Sequence, residues 1–335
     1  MFKNFLIKQP EIDGKTILIT GGTGSFGNQF IRRLLERYKP KKLIIFSRDE
    51  LKQFEMQNLF SRDDYPFIRF FIGDVRDVNR LEMALRGVDI VIHAAALKHV
   101  PTAEYNPFEC IHTNVIGAEN IVRASLKAGV QKVIALSTDK AVSPINLYGA
   151  SKLAADKIFI AGNNIRGDDP TVFSVVRYGN VIGSRGSVIP FFQKLIKDGS
   201  ESLPITDSEM TRFWITLNQG VDFVLSNLAI MNGGEVFVPK IPSMKIVDLA
   251  KTLNPSVRTH DIGIRPGEKL HELMLTPDES LNTIELEDRY VILPSFIKEW
   301  KSDFPYKKLE KRFAYSSETN TEWLSSSDLE EMLVS

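Results

Sequence analysis

Tyr148 and Lys152 stand four residues apart in the run Tyr148-Gly149-Ala150-Ser151-Lys152, so at a helix start they share one face. A lysine ammonium near a phenol favours the phenolate, whose ordinary pKa is about 10, and it can also hold a ribose hydroxyl. Tyr148 is therefore a candidate acceptor for the proton of an alcohol being oxidised. A little upstream, Ser137-Thr138-Asp139-Lys140 adds an adjacent carboxyl and amine. Alcohol oxidation alone needs neither, so the pair points to further proton transfers on the same substrate.

An oxidation needs a hydride acceptor, and the start of the chain offers a place for one. Gly21-Gly22-Thr23-Gly24-Ser25-Phe26-Gly27 follows the apolar run Thr16 to Thr20 and precedes helical spacing at Phe26, Phe30, Ile31, Leu34 and Leu35. Small residues between a strand and a helix let backbone approach a pyrophosphate, and the helix start supplies N–H donors. The spacing is Gly-x-x-Gly-x-x-Gly, which differs from the general dinucleotide fingerprint. The second strand ends in Ser47-Arg48-Asp49. Ser47 and Arg48 favour NADP, because Arg can meet a 2′-phosphate, while Asp49 keeps NAD open. Asp74, after the third strand, is placed to meet adenine. Ala94, Ala95 and Ala96 after His93 leave room for the nicotinamide half.

The elements that must carry these residues alternate. Strands are expected at 16–20, 43–46, 67–72, 88–93, 133–137 and 172–176. Helices are expected at 25–38, 50–59, 80–85, in a long stretch ending before Gly129, and at 148–161. The strands are continuously apolar, as in a parallel sheet buried on both faces, and the pattern predicts a doubly wound α/β, Rossmann-like domain over residues 1–176. Residues 177–335 are expected to form a smaller substrate-binding lobe with a C-terminal tail, some elements returning to the first domain. Helices at 188–197, 217–230 and 246–253 and short strands at 235–238 and 258–262 fit its looser pattern. Trp300, Phe304, Tyr306, Phe313, Tyr315 and Trp323 imply that the tail packs against something.

The 335 residues carry 42 basic and 42 acidic side chains, a formal net charge of zero. Nucleic acid and polybasic membrane binding are not expected from that balance. A single cysteine, Cys110, excludes an internal disulfide framework and a multi-cysteine metal site. With no signal-like or membrane-spanning run, a cytoplasmic location is the expectation.

Taken together, the motifs resemble the extended short-chain dehydrogenase/reductase family. Within it, the chain is similar to the inverting UDP-N-acetylglucosamine 4,6-dehydratases of the pseudaminic acid pathway. The resemblance rests on the glycine loop, Ser47 to Lys52, Gly73 to Asp77, Ala94 to Val100, Leu136 to Ala141, Pro144 to Ala150, Val176 to Val181, Met210 to Ile215 and Arg265 to Leu270. Asp139-Lys140 replaces the Asp-Glu pair of retaining dehydratases. The resemblance implies retained NADP, with Lys52 and Val75 joining the cofactor site, and Tyr148 and Lys152 serving both cofactor and chemistry. It implies that Tyr148 takes the 4-hydroxyl proton, Lys140 the C5 proton if its pKa is lowered, Asp139 assists the leaving 6-hydroxyl, and Thr138 bonds the C4 oxygen. It also places Lys98, Asn180, Arg185, Thr206, Met210, Arg212, Arg265 and Glu268 around a UDP-N-acetylglucosamine substrate. A homo-oligomer, dimer or hexamer, is implied through helices near 114–127 and 153–161. The competing readings are a related inverting dehydratase of capsule or O-antigen synthesis, a 4-epimerase and a non-catalytic NADP-binding scaffold.

Overall fold

Continuous apolar runs become strands covered on both faces, and β1 (Thr16–Thr20) is buried along its whole length. In the computed structural model, which describes residues 3, 5, 8–184, 186–297, 299–309 and 311–334, β1 leads into α1 (Ser25–Arg37). The alternation continues through β2 (Lys42–Ser47), α2 (Glu50–Leu59), β3 (Ile68–Ile72), α3 (Val78–Ala84) and β4 (Ile90–His93). Then come α4 (Val100–Tyr105), α5 (Pro107–Ile111), α6 (Gly117–Ala128), β5 (Lys132–Thr138), α7 (Leu147–Ile165) and β6 (Val172–Tyr178). After these lie β7 (Asn180–Val181), α8 (Val188–Lys197), β8 (Ser202–Ile205), β9 (Thr211–Ile215), α9 (Leu217–Ile230) and β10 (Val236–Pro239). The chain ends with β11 (Ser243–Lys245), α10 (Ile246–Leu253), β12 (Arg258–Asp261), β13 (Leu273–Leu275), α11 (Pro277–Ser280), β14 (Thr283–Glu285), β15 (Arg289–Ile292), β16 (Lys307–Lys308), β17 (Tyr315–Ser316) and α12 (Ser326–Val334).

Among the described residues the main sheet has ten strands, ordered β16-β14-β15-β10-β6-β5-β4-β1-β2-β3. From β3 to β10 every pairing is parallel; β15, β14 and β16 add antiparallel strands at one edge. This is the doubly wound sheet expected from the sequence. The order reverses between β1 and β4, and a crevice at the carboxyl ends of strands beside such a reversal is where dinucleotides bind in this architecture. A second apolar cluster, with Ile189, Phe192, Leu203, Trp214, Met244 and Leu249, holds the lobe built on β9 and its neighbours.

The long helix before Gly129 is broken. Pro101 and Pro107 each occupy a first-turn position, where a missing N–H costs nothing, and so restart the helix twice. A π turn at His112–Ile116 then precedes α6. Its Asn114 bonds both backbone groups of Leu97 at 2.8 and 2.9 Å and the Ser151 hydroxyl at 2.9 Å, tying the loop after β4 to α7. The aromatic tail does pack. Trp300 donates to Glu235 at 2.9 Å and Tyr315 to the Ile241 carbonyl at 2.9 Å, though Trp323 stays half-exposed. No helix among the described residues is long and apolar enough to cross a membrane.

Candidate active site

The turn from β1 into α1 brings three backbone stretches together. Gly21 has φ +65°, and a Cβ there would stand 2.9 Å from the Ala95 backbone; at Gly27 it would stand 2.2 Å from the Gly22 carbonyl oxygen. Only glycine fits either position. Gly24 caps α1 without a side-chain bond, so the first N–H groups of the helix are left for an anion. Thr23 and Ser47 share a hydroxyl bond of 2.8 Å across the strand ends. This cradle, with Ala94 to Ala96 opposite, fits a dinucleotide.

Beyond it the charged side chains are already engaged. Arg48 lies 3.5 Å from Asp74, whose carboxylate also takes bonds of 2.9 and 2.7 Å from Arg76. Burial would raise the Asp74 carboxyl, but Arg76 and Arg48 more than offset it and hold it below its usual range. Asp49 caps α2 through the Lys52 amide at 3.0 Å and pairs with the Lys52 ammonium.

A cavity of about 620 Å³ runs from this cradle to the end of β5. Gly21, Thr23 to Gly27, Ser47 to Asp49, Lys52, Val75 and Ala94 to Ala96 line one end; Lys98, Thr138, Lys140, Tyr148, Lys152 and Asn180 line the other. Asp139 lies just behind, wholly buried. A single 3₁₀ turn, Asp139–Ala141, starts where β5 stops, with the Thr138 hydroxyl capping the Lys140 amide at 3.3 Å. Asp139 Oδ1 accepts from Thr138 at 2.8 Å and from Lys140 Nζ at 3.1 Å, while its Oδ2 has no hydrogen-bond partner among the described residues. Lys140 Nζ also meets Glu272 at 3.2 Å and Asn180 at 3.4 Å.

These contacts do not meet the condition, set for Lys140 as a base, that its pKa be lowered. Burial would depress its ammonium, but Asp139 and Glu272 outweigh that and raise it above the ordinary lysine value. The cation that opposes burial at Tyr148 is also not the expected one. Burial pushes its phenol up to about 12, with Lys140 the main opposing cation. Lys152 instead donates to the Leu136 carbonyl at 2.7 Å, and burial holds its ammonium below the ordinary value against the support of Asp156. Asp156, one turn further along α7, receives Ser137 at 2.8 Å and faces Arg177 at 3.8 Å.

His93 was read only as the start of a small-residue stretch. The Thr20 hydroxyl accepts from the Ala94 and Ala95 amides at 3.2 Å each, so its hydrogen is directed to His93 Nδ1 at 2.9 Å. The imidazole is thereby fixed as the Nε2–H tautomer. Burial and then Lys152 lower its pKa to about 3, keeping it neutral. Glu272 was missed altogether. Its signal was an acidic residue entering the apolar run Leu273 to Leu275.

The substrate residues implied by the resemblance divide. Lys98 and Asn180 reach the cavity; Arg185 lies outside the described residues. Thr206, Met210, Arg212, Arg265 and Glu268 are not among its walls. Met210 belongs to the second core cluster. The Arg212 guanidinium is buried against the carbonyls of Thr211, Lys269 and Leu270 at 2.7 to 3.0 Å, so its donors serve the fold. Arg265 is exposed and pairs with Glu268 at 3.2 Å.

A dinucleotide cradle joined to a Thr-Asp-Lys turn and a Tyr-x-x-x-Lys helix defines a nucleotide-dependent enzyme of sugar chemistry. Residues 17–294 match the family described as "Polysaccharide biosynthesis protein". The chain is 58% identical over 325 residues to the UDP-N-acetylglucosamine 4,6-dehydratase (inverting) of Campylobacter jejuni serotype O:23/36, covering 95% of this chain and 96% of the relative. Pen from Bacillus thuringiensis, solved by X-ray, superposes with a TM-score of 0.89 at 37% identity, covering 97% of this chain and 98% of that one. DesIV, a dTDP-glucose 4,6-dehydratase from Streptomyces venezuelae, gives 0.68 at 25% identity over 76% of this chain and 86% of its own, and was solved with NAD bound. The chain belongs to the inverting UDP-N-acetylglucosamine 4,6-dehydratases, within the polysaccharide biosynthesis family. DesIV corrects the NADP expectation, because it carries NAD on the same architecture. The geometry supplies a reason: Arg48, on which that expectation rested, is already paired with Asp74.

Proposed function

We propose that this chain converts UDP-N-acetylglucosamine to the 4-keto-6-deoxy sugar with inversion at C5, the opening step of pseudaminic acid synthesis, using Thr138, Asp139, Lys140, Tyr148 and Lys152. The observation that carries the reading is the Asp139–Lys140 pair of 3.1 Å beside Tyr148, at the far end of a cavity that begins in a glycine cradle. NAD, when bound, would supply the hydride acceptor for C4 and the donor to C6.

Tyr148, protonated in the resting pocket, becomes the acceptor of the 4-hydroxyl proton once positive charge gathers around it. Thr138 presents its hydroxyl beside the same oxygen. The ketone at C4 acidifies the C5 proton, and Lys140 and Asp139 handle that proton and the one needed by the departing 6-hydroxyl. The free Oδ2 of Asp139 suits it to accept or return a proton without breaking its bonds to Thr138 and Lys140. Lys152 suits the ribose of the dinucleotide, with Gly21, Thr23, Gly24, Ser25, Phe26 and Gly27 at the pyrophosphate. Lys98 and Asn180 are the substrate contacts the cavity supports.

The same reading includes self-association of the chain through the helices near 114–127 and 153–161. Light scattering that returned 37.8 kDa at micromolar concentration would refute that part. The activity itself is tested by incubation with UDP-N-acetylglucosamine in D₂O and NMR of the product. One deuterium at C5 with L-arabino geometry is expected; a D-xylo product, or simple epimerisation at C4, overturns the reading.

A further inference from the structure

Lys140 approaches the cavity from the turn after β5, yet a residue far along the chain holds its ammonium. Glu272 immediately precedes β13 and is almost wholly buried, with Oε1 3.2 Å from Lys140 Nζ. Its backbone is fixed from both sides by Ser317, whose hydroxyl receives the Glu272 N–H at 2.9 Å and whose N–H donates to the Glu272 carbonyl at 2.8 Å. Ser317 is held in turn by the Thr211 hydroxyl at 2.7 Å. The carboxylate makes ionic contacts but few hydrogen bonds. Oε2 has no hydrogen-bond partner among the described residues, and Lys269 and Arg212 stand 3.8 Å from its two oxygens. Three cations thus surround a buried carboxylate, and the nearest of them is the Lys140 ammonium at the cavity wall.

The position has a direct consequence for the amine. Lys140 Nζ is held at the cavity wall by three oxygens, from Asp139, Glu272 and Asn180. The charges facing it are the carboxylates of Asp139 and Glu272, the Arg212 guanidinium, the Lys269 ammonium and the Tyr148 phenol. Asp139 is its neighbour in the chain and moves with it, so Glu272 is the ionic partner that ties it to another part of the fold.

We propose that Glu272 is a positioning residue for the chemistry at C5: it fixes the Lys140 amine at the cavity wall and sets how readily that amine gives up its proton. The proposal rests on the dehydratase reading above. To take the C5 proton, Lys140 must first be neutral, and a carboxylate at 3.2 Å favours the charged form. Replacing Glu272 by the neutral Gln should therefore let the amine lose its proton at lower pH. The Asp variant should keep the wild-type dependence.

Exchange of the C5 hydrogen of the purified 4-keto product with D₂O isolates this step, because it bypasses the oxidation that Tyr148 serves. In Glu272→Gln the rise of the exchange rate with pH should move down by about one unit or more, with a lower plateau. Glu272→Asp should restore the wild-type profile. A Gln profile that superimposes on the wild type, however slow the enzyme, overturns the proposal. If the Gln variant does not fold, the wild-type protein still decides. The ¹⁵N signal of Lys140, identified by its loss in Lys140→Gln, should titrate above the ordinary lysine value of about 10.4, and a titration at or below that value refutes the role. Failure of the dehydratase reading is distinct, since wild-type protein would then make no L-arabino product at all.

Discussion

Replacing Gly149 by alanine tests whether the spacing between α7 and the Asp139–Ala141 turn sets the chemistry. A Cβ at Gly149 would lie 2.1 Å from the Lys140 carbonyl oxygen and 3.0 Å from both the Lys140 carbonyl carbon and Pro144 Cβ. The clashing group is backbone, so no side-chain rotation relieves it, and helix and turn must part by about 1 Å to reach normal contact. Both sides resist. The turn is held by the Thr138 cap at 3.3 Å and by Val142 N–H to the Asp139 carbonyl at 3.1 Å. The start of α7 is held by Asn146, which receives Gly149 N–H at 2.7 Å and donates to the Gly267 carbonyl at 2.7 Å. Overpacking of this kind costs about 1–3 kcal/mol, a part of a typical domain stability of about 5–15 kcal/mol, so the protein stays folded with a lower Tm. Tyr148 moves away from Thr138 and Lys140, and a misplacement near 1 Å costs about 10²-fold in rate. The assay is kcat for 4-keto sugar formation, read alongside bound nucleotide and Tm. A folded Gly149→Ala enzyme within about twofold of wild-type kcat would refute the reasoning.

Tyr148→Phe should lower turnover by about 10²–10⁴-fold and abolish the transient reduced-nicotinamide absorbance; a transient of wild-type size would remove Tyr148 from the oxidation step. Gly27→Ala, with its Cβ 2.2 Å from the Gly22 carbonyl oxygen, should strip the protein of nucleotide, and equal nucleotide content after gel filtration would count against the cradle. Nucleotide released on denaturation should be NAD, and Arg48→Ala should leave its affinity within about threefold; release of NADP would reverse the correction. His93, at about 3 when folded against an ordinary 6.5, leaves the unfolded chain binding more protons in that window. Its contribution to stability is thus intact above about pH 6.5 and is lost as pH falls toward 3, by up to about 1.4 kcal/mol per unit. Urea unfolding of His93→Asn should lose less stability between pH 7 and pH 5 than wild type, and equal losses would contradict the assignment.

What was legible in the sequence were features fixed by local pattern. The apolar runs of β1, β2 and β4 allow only strands buried on both faces, and the glycines of the first turn leave few conformations for the segment between β1 and α1. Tyr148 and Lys152 were legible for the same reason, since helical spacing alone puts them on one face. What was not legible depended on partners distant in sequence. Ser47-Arg48 reads as a phosphate site until Asp74 meets the guanidinium from the end of another strand. The contacts of Arg212 with the Leu270 and Lys269 carbonyls likewise come from a segment almost sixty residues on, which no local pattern announces. A lowered Lys140 pKa was the condition for its taking the C5 proton; burial does act that way, but Asp139 and then Glu272, the latter from beyond the motif, outweigh it. The π turn at Asn114 had no visible signal, because its purpose is a bond to Leu97 across the β4 loop.

That dependence on distance has a physical consequence for how the two halves of the chain cooperate. Glu272 and Glu279 bracket β13, and each carries a charge into a different part of the site. Glu272 reaches Lys140 at 3.2 Å; Glu279 reaches Arg177 at 3.1 Å, and Arg177 faces Asp156 at 3.8 Å on the catalytic face of α7. Glu279 is itself locked by a reciprocal cap with Thr276, so its carboxylate is fixed before Arg177 arrives. Without the segment 272–279, Lys140 would lose one of its two carboxylates, and the buried Arg177 would keep only Asp156, at 3.8 Å, as its ionic partner. Buried ion pairs contribute little net stability, but removing one partner leaves the other costly. The reacting residues therefore lie on the nucleotide-binding sheet and its helices, while their proton states depend on a short strand more than a hundred residues later.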